Sequence, residues 1–358
     1  SYQSIKEVIV SVERYFPGGV MPDKGFDLLR ELAIEARAKG GYGITSHHVR
    51  SLVERKTGVP TGAPKEEEQK VLLSLETLLG ERIVGQKEAI SSISQAMRRA
   101  RAGVRNTERP IGSFLFLGPT GVGKTETTKA LADVFFNNRD AIIRLDMSEY
   151  SGLDALDRLI GSVNGGQPGV LASILREKQY GILFLDEFEK TTSAVHDLFL
   201  QILDEGQFTD ASGKKVNARN LIIIATSNAA SDKIWEYAQS GVNPAEESSA
   251  LINEIVSRKI FKPELLNRFD GIIVFHPLSK EEIRTIAGLM LKKLQKRLRE
   301  QGINLEVSES LIDEVVEYGY NPQFGARPMN RAIQEHIEQK VADMLLRGDI
   351  QKGETVRL

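Results

Sequence analysis

The chain of 358 residues contains no cysteine and one tryptophan, and its net charge is only −2, from 47 basic and 49 acidic side chains. The lack of cysteine excludes disulfides, thiolate catalysis and cysteine-based zinc sites. The near-zero charge gives no global attraction for nucleic acid or for an anionic membrane. No apolar run approaches the roughly 18 residues that span a bilayer, and no signal peptide opens the sequence. These absences predict a cytoplasmic protein whose partners include neither nucleic acid nor a membrane.

The best-defined motif lies at residues 113–125, where the apolar run from Phe114 to Leu117 leads into Gly118-Pro-Thr-Gly-Val-Gly123-Lys124-Thr125. The run predicts a buried strand, and the glycine-rich segment matches the P-loop pattern. Glycine lets the backbone curl so that its N–H groups face a phosphate chain, and the N-terminus of the next helix faces the same anion. Lys124 would reach the β- and γ-phosphates, and the Thr125 hydroxyl would bind Mg²⁺. The predicted nucleotide-binding residues here are Gly118, Pro119, Thr120, Gly121, Val122, Gly123, Lys124 and Thr125.

Apolar stretches alternate with helical patterns between the P-loop strand and residue 276. The strand-like stretches are residues 113–117, 141–145, 181–185, 220–225 and 272–275. Near-continuous apolar strands between helices predict an α/β fold in which helices cover both faces of a parallel sheet. We expect this large domain to span residues 80–276.

Helical patterns dominate both ends of the chain. Residues 1–60 predict a small helical unit, in which one helix presents Phe26, Leu29, Ala33 and Ala36 on a single face. Thr45-Ser46 is typical of the cap of the following helix. Residues 61–79 predict a linker and a helix, and residues 277–358 predict a smaller helical domain closed by a short strand near Thr355.

Two further strands end in polar residues suited to phosphate chemistry. One ends at Asp186-Glu187, and the sheet of a P-loop protein places such acids beside the phosphates. Asp186 would hold Mg²⁺, directly or through water, and Glu187 would orient and deprotonate the attacking water. Asn228, which follows the strand at 220–225, can hydrogen-bond the γ-phosphate or that water.

Two arginines complete the candidate catalytic set. Arg268 follows a short helical stretch, and Arg327 opens the last long helix. An arginine supplied across a subunit boundary would stabilise charge in the transition state. Either residue alone is more often half of a surface salt bridge, so their assignment depends on the order of all the motifs.

That order resembles the AAA+ ATPases, and within them the second ATPase ring of the Clp-type unfoldases and disaggregases. The likeness runs from about residue 80 to the end of the chain, and residues 1–60 resemble the helical lid that closes the first ring of the same family. The motifs that carry it are Ile83-Val-Gly-Gln86, Gly118 to Thr125, Leu145-Asp-Met-Ser-Glu-Tyr150, Leu185-Asp-Glu-Phe-Glu-Lys190, Gln201-Ile-Leu-Asp-Glu-Gly206, Thr226-Ser-Asn228, Phe261-Lys-Pro-Glu-Leu-Leu-Asn-Arg268 and Tyr320-Asn-Pro-Gln-Phe-Gly-Ala-Arg327.

The resemblance implies a P-loop AAA+ fold with a C-terminal helical lid, and ATP and Mg²⁺ as cofactors. It also implies a ring, most naturally a hexamer, because a trans-acting arginine needs a neighbouring subunit, and clients that are unfolded or aggregated polypeptides. The implied roles are adenine contact for Ile83 and Val84, Walker A for Lys124 and Thr125, Walker B for Asp186 and Glu187, sensor one for Asn228, the trans arginine finger for Arg268 and sensor two for Arg327.

The chain departs from the family pattern in two segments. Residues 162–169 occupy the place of a pore loop whose aromatic residue grips polypeptide, yet no aromatic residue occurs between Tyr150 and Tyr180. A second loop at residues 206–215 could still contact substrate near the pore. No Ile-Gly-Phe or Leu-Gly-Phe tripeptide follows Asn228, which argues against pairing with a ClpP-like peptidase.

Three functions remain open on these grounds. The leading hypothesis is an ATP-driven protein-remodelling motor. The aromatic-free loop favours an alternative, an ATP-dependent assembly or adaptor switch that does not thread polypeptide. A metabolic P-loop kinase is the weakest alternative, because it leaves Arg268 and the Gly325-Ala-Arg327 motif unexplained.

Overall fold

The computed structural model describes residues 2–16, 21–38, 40, 43–59, 61, 66–102, 108–162, 168–321, 325–348 and 354–357. A parallel five-stranded sheet lies at its centre, in the strand order β2-β3-β6-β1-β7. This arrangement confirms the predicted α/β fold and its strands. The bounds are β1 (Gly112–Leu117), β2 (Ile142–Asp146), β3 (Gly181–Asp186), β4 (Gln207–Thr209), β5 (Lys215–Asn217), β6 (Leu221–Ser227), β7 (Gly271–Val274), β8 (Asn304–Leu305) and β9 (Thr355–Val356).

Helices flank the sheet and build both ends of the chain. Two of them continue into π-helical turns, at Ala132–Phe136 and Ile333–Glu338. Within the described ranges, no helix is long and apolar enough to cross a bilayer. The bounds are α1 (Tyr2–Tyr15), α2 (Asp23–Ala38), α3 (Ser46–Thr57), α4 (Glu66–Gly80), α5 (Lys87–Arg101), α6 (Lys124–Leu131), α7 (Ala155–Ile160), α8 (Val170–Glu177), α9 (Ser193–Glu205), α10 (Ser231–Gln239), α11 (Ser248–Ser257), α12 (Pro263–Leu266), α13 (Lys280–Glu300), α14 (Glu309–Gly319), α15 (Arg327–Ala332) and α16 (Gln339–Arg347).

Alternate side chains of the central strands enter two separate cores. On β1, Phe114 and Phe116 pack with α4, α5 and α6, whereas Leu115 and Leu117 face the core on the opposite side of the sheet. All four side chains are fully buried, and truncation of such a phenylalanine to alanine typically costs about 3–5 kcal/mol. Because both faces of the sheet are covered, the polar side chains of β3 and β6 are confined to the last residues of each strand.

The N-terminal helices α1, α2 and α3 share a small core of their own. The predicted cap of α3 is confirmed, since the Thr45 side chain accepts a hydrogen bond from the His48 N–H. The predicted buried face of α2 is wrong: Phe26 is 61 % exposed, whereas Leu28 and Leu32 are buried. Two apolar stripes overlap on this helix. Packing against α1 and α3 buries the stripe through Leu28 and Leu32, and the periodicity of the sequence does not reveal that packing.

The C-terminal helices α13, α14, α15 and α16 enclose another core, which contains Leu291, Val315 and Ile337. Strand β9 pairs in parallel with β8, which confirms the short strand predicted near Thr355. This pairing ties the end of the described chain to the segment that follows α13.

The segment predicted as a second loop, residues 206–215, is instead part of an antiparallel hairpin formed by β4 and β5. Asp210 organises its turn by accepting hydrogen bonds from Ser212 N, Ser212 Oγ and Lys214 N at 2.8–2.9 Å. It also forms an ion pair with Arg176 of α8. Burial alone would raise the pKa of Asp210, but these partners outweigh burial and lower the pKa to about 2.

We predict that Asp210→Asn lowers the free energy of unfolding at pH 7 by about 1.5–3 kcal/mol, the usual contribution of hydrogen bonds to a charged group. The folded-state pKa lies below the ordinary value of 3.8, so the carboxylate stabilises the fold above about pH 4. That contribution is lost as the pH falls from about 4 towards 2, so the two proteins should converge there.

Urea unfolding of both proteins at several pH values measures the difference. Asp197→Asn is the matched control, because Asp197 forms a 2.6 Å ion pair with Lys262 that is about half exposed, and exposed pairs contribute about 0–1 kcal/mol. Equal losses in the two variants, or a loss at Asp210 that does not change with pH, would contradict the assignment.

Candidate functional site

A cavity of about 720 Å³ lies between the carboxyl ends of the central strands and the C-terminal helices. Its walls combine the P-loop, the ends of β3 and β6, and residues of α13 and α15. The predicted site residues that line it are Ile83, Val84, Thr120, Gly121, Val122, Gly123, Lys124, Thr125, Asp186, Glu187, Asn228 and Arg327. Gly118, Pro119 and Arg268 do not line it.

The backbone of the P-loop is shaped by glycines with positive φ angles. At Gly118 a Cβ atom would lie 2.6 Å from the carbonyl oxygen of Phe275, so no other residue fits there without a shift of the backbone. Gly121 and Gly123 also have positive φ, and α6 begins directly afterwards at Lys124. Backbone N–H groups and the positive end of a helix are suited to bind phosphate.

Lys124 is buried at the base of the cavity, where three protein oxygens surround its ammonium group. Nζ donates to the carbonyl oxygens of Gly118 and Pro119, and to Asn228 Oδ1 at 2.9 Å. Burial lowers the pKa of Lys124 to about 8, although nearby carboxylates oppose this shift. Gly118 and Pro119 therefore contact Lys124 through their carbonyl oxygens and do not face the cavity.

Asp186 and Glu187 lie at the end of β3, where the chain turns sharply. Thr226 Oγ1 donates to Asp186 Oδ1 at 2.6 Å and accepts the Glu187 N–H at 3.1 Å. Arg144 of β2 forms a 2.7 Å ion pair with Asp186. Glu187 has a φ of 57°, an uncommon backbone conformation for such a residue, and its carboxylate pairs with Lys190 at 2.7 Å.

The oxygens of Thr125 and Asp186 line the same cavity, and oxygen ligands are those that Mg²⁺ prefers. Among the described residues, no group of three or more histidine, aspartate or glutamate side chains could hold a metal ion by itself. Thr125 and Asp186 could therefore contribute part of an oxygen ligand set for Mg²⁺.

The C-terminal domain touches the P-loop directly. The Ala326 N–H donates to the Gly121 carbonyl at 3.2 Å, and Gly325 adopts a φ of 58°. A Cβ atom on Gly325 would approach the Gly121 oxygen to 2.6 Å. This contact places Arg327, one residue farther along, in the cavity wall.

Part of the cavity lining is apolar. Ile83 and Val84 form it together with side chains from the C-terminal domain, and a flat apolar ring such as a purine base suits such walls. The additional apolar residues there are Leu278, Ile286, Leu289, Met290, Leu294 and Ile333.

Gln86 has a role in the site that the sequence analysis did not identify. Its side-chain amide donates to the carbonyls of Val122 and His276, at 3.2 and 2.9 Å, and its oxygen accepts the His276 N–H. It joins the segment before α5 to the P-loop and to the chain leaving β7. The residue belongs to the Ile83-Val-Gly-Gln86 motif, but its positive φ and its contacts cannot be read from that motif.

Arg268 lies outside the cavity, after α12. It forms a 3.3 Å ion pair with Asp204 of α9, and its side chain is about half exposed. Arg109 donates to the Arg268 carbonyl at 2.5 Å, which fixes the backbone at this position.

The predicted aromatic-free pore loop lies largely outside the described residues, because residues 163–167 are not among them. Its ends are described: Gly161 and Pro168 form an isolated antiparallel bridge, and the hairpin residue Ala211 donates its N–H to the Ile160 carbonyl at 3.1 Å. The base of this loop and the β4–β5 hairpin are therefore neighbours.

Two family models match consecutive parts of the chain. Residues 109–272 match the AAA domain (Cdc48 subfamily), and residues 278–358 match the C-terminal, D2-small domain of ClpB protein. The first match contains the P-loop and Asp186-Glu187, and the second contains Arg327.

Curated relatives of similar sequence include three Clp proteins. The chaperone protein ClpB of Oceanobacillus iheyensis is 42 % identical over 326 residues, which cover 88 % of this chain and 40 % of the relative. The ATP-dependent Clp protease ATP-binding subunit ClpE of Bacillus subtilis is 43 % identical, with 88 % and 46 % coverage. ClpC of Staphylococcus aureus is 42 % identical, with 87 % and 39 % coverage. The chain thus spans less than half the length of these relatives.

Solved structures of similar fold include two of Hsp104. A closed-state reconstruction of Hsp104 with ATPγS and FITC casein has a TM-score of 0.86 and 33 % sequence identity, and it covers 99 % of this chain and 62 % of that chain. The extended conformation of the S. cerevisiae Hsp104:casein complex has a TM-score of 0.84, also with 33 % identity, and covers 97 % and 61 %.

The contact between Gly325 and the P-loop yields a prediction. Gly325→Ala should weaken the binding of an ATP analogue about tenfold, which corresponds to about 1.4 kcal/mol, because the added methyl group displaces the C-terminal domain from Gly121. Gly348→Ala is the matched control, since Gly348 also has a positive φ, of 78°, but open space around its Cβ position. Both variants should lose about 1–2 kcal/mol of stability from the left-handed backbone.

Fluorescence titration with a labelled ATP analogue, beside thermal unfolding of both variants, separates the two effects. Equal affinity in Gly325→Ala and Gly348→Ala would show that the contact between the lid and the P-loop does not contribute to binding.

Proposed function

The chain belongs to the Clp-type AAA+ ATPases, and we propose that it is an ATP-hydrolysing, protein-remodelling motor that acts as a ring. The observation that carries the proposal is one cavity whose wall combines Lys124, Asp186, Glu187 and Asn228 of the large domain with Arg327 of the lid. Phosphate-binding, metal-binding and water-activating groups are then available to one bound nucleotide.

In this proposal the P-loop binds the phosphate chain of ATP, and Ile83 and Val84 contact the adenine. All three N–H donors of Lys124 have protein acceptors, so a phosphate oxygen would replace at least one of them. Asn228 is the replaceable partner, because the other two acceptors belong to the P-loop backbone. Displacement of Lys124 would leave Asn228 Oδ1 available to accept a hydrogen bond from the attacking water.

Thr125 and Asp186 would hold Mg²⁺, which, when bound, neutralises charge that develops on the phosphates. The Thr226 hydroxyl directs Asp186 Oδ1, and Arg144 holds the other oxygen. These contacts limit the rotamers of Asp186 before any nucleotide arrives, and such preorganisation is a main source of catalytic power.

Glu187 would accept a proton from the attacking water. Its N–H donates to the Thr226 hydroxyl, its backbone has an unusual φ, and the residue lines the cavity. Its ion pair with Lys190 is partly exposed and therefore weak, so the carboxylate can exchange Lys190 for a water molecule at little cost.

Arg327 would stabilise the phosphates from the lid of the same chain, whereas Arg268 would act on the nucleotide of a neighbour. Support for this proposal comes from the exposure of Arg268 and its position outside its own cavity, and the proposed site would be completed by a second copy of the chain. We propose a hexameric ring, as the resemblance implies, with ATP and Mg²⁺ as cofactors.

The proposed clients are unfolded or aggregated polypeptides, which the β4–β5 hairpin and the loop at residues 162–169 would contact. Support comes from the casein named in both Hsp104 structures and from the chaperone named among the relatives. The missing aromatic residue predicts a weaker grip in this ring than a bulky side chain would provide, and a ClpP-like peptidase is not a proposed partner.

The first test is the rate of ATP hydrolysis over a range of chain concentrations, with and without a permanently unfolded polypeptide. We expect turnover per chain to rise steeply with concentration, because the site is completed by a neighbour, and to rise again with polypeptide. Glu187→Gln should still bind ATP but hydrolyse it about 10²–10³-fold more slowly, since removal of one transition-state group typically costs about 2.7–4 kcal/mol.

Normal turnover in Glu187→Gln would overturn the assignment of the catalytic base. Turnover that rises with concentration but ignores the polypeptide would instead favour the adaptor switch, for which the aromatic-free loop is the motivating observation.

A further inference from the structure

Glu189 is an acidic residue beside the site, hydrogen-bonded to the site residue Asn228, and it has no role in the proposed mechanism. It lies in the short 3₁₀ turn Phe188–Lys190, directly after Glu187. Its Oε1 accepts the main-chain N–H of Asn228 at 3.1 Å. Its Oε2 is buried, and in the described part of the chain it has neither a hydrogen-bond partner nor an ion-pair partner. The bond to Asn228 is therefore the contact that explains the orientation of this carboxylate.

The bond forms half of a reciprocal clasp between the ends of β3 and β6. The ladder between these strands ends at Leu185 and Ala225, so it does not hold the residues that follow. Beyond it, Thr226 accepts the Glu187 N–H, and Glu189 accepts the Asn228 N–H. A side chain at the end of β6 thus binds the backbone that follows β3, and a side chain that follows β3 binds the backbone that follows β6.

Asn228 connects the clasp to Lys124. Asn228 donates its N–H to Glu189 and accepts from Lys124 Nζ through Oδ1, so it lies between an anion and a cation. Among the carboxylates that oppose the lowering of the Lys124 pKa, Glu189 acts more strongly than Asp186 or Glu187. The geometry and the electrostatics agree that Glu189 lies close to the phosphate-binding lysine.

We infer that Glu189 is a positioning residue for ATP hydrolysis. By accepting the Asn228 N–H, Glu189 fixes the position of the Asn228 side chain. That side chain contacts Lys124 before nucleotide binds and the attacking water afterwards. The inference rests on the proposed ATPase function. The acceptor geometry, more than the negative charge, is what Asn228 requires, so glutamine at position 189 can replace glutamate.

The kinetic test compares Glu189→Ala with Glu189→Gln. Glu189→Ala should lower kcat about tenfold or more with KM for ATP changed less than about threefold, because a misplacement of about 1 Å can cost up to about a hundredfold. Glu189→Gln should retain at least half of kcat, because its amide oxygen can accept the same N–H. Glu177→Gln, an exposed acid at the far end of α8, should behave as the unchanged chain.

A second measurement tests the hydrogen bond between Glu189 and the Asn228 N–H without measuring ATP turnover. Hydrogen exchange of the Asn228 amide, followed after selective ¹⁵N-asparagine labelling and assigned by its absence in Asn228→Ser, should accelerate in Glu189→Ala and stay slow in Glu189→Gln. Unchanged exchange in Glu189→Ala, unchanged kcat in that variant, a defect in KM alone, or equal impairment of both variants would each overturn the inference. If the unchanged chain hydrolyses no ATP, the proposed function fails, and the exchange rates still decide whether Glu189 holds Asn228.

Discussion

The close approach of the Gly118 turn to the Phe275 carbonyl is the constraint on which the site depends. Strand β1 ends at this turn beside the end of β7, and the Phe275 N–H donates to the Leu117 carbonyl at 2.7 Å. Since a side chain at position 118 would collide with that carbonyl, the P-loop can leave the sheet here only through glycine. The path of the P-loop then sets where Lys124 and Thr125 meet the ends of β3 and β6.

The same junction links the large domain to the lid. The chain leaving β7 passes through His276, whose backbone is held on both sides by the Gln86 side chain, and soon enters α13. The lid returns to the P-loop at Ala326, which bonds to Gly121. A movement of the P-loop on nucleotide binding would therefore be transmitted to the lid at two places, the start of α13 and Ala326. Such a connection provides a physical route from nucleotide state to domain movement.

The parts of the fold that local patterns determine could be predicted from the sequence. Apolar runs revealed the central strands, and the spacing of Gly118, Gly123 and Lys124 revealed the P-loop. Asp186, Glu187 and Asn228 were identifiable because parallel strands end at a common edge, so polar residues that follow buried strands come together.

The remaining features depend on contacts between distant parts of the chain. Thr226, Gln86 and Glu189 lie within recognisable motifs, but their roles depend on hydrogen bonds to other segments, which the motifs do not reveal. Of the residues that the sequence analysis missed, Arg144 was the easiest to predict, because a lone basic side chain inside an apolar strand is unusual. The buried stripe of α2 and the β4–β5 hairpin were misjudged for the same reason, since partner helices and the Asp210 contacts decide them.

In the proposed ring, each active site is completed by Arg268 of a neighbouring subunit, and a mixture of two inactive variants tests this proposal. Glu187→Gln lacks the catalytic base but keeps the arginine, whereas Arg268→Ala keeps the base but lacks the arginine. We expect the mixture to hydrolyse ATP well above the sum of the separate variants, because some sites in mixed rings regain both groups. A mixture no more active than that sum, under conditions where the two variants are shown to co-assemble, would contradict it.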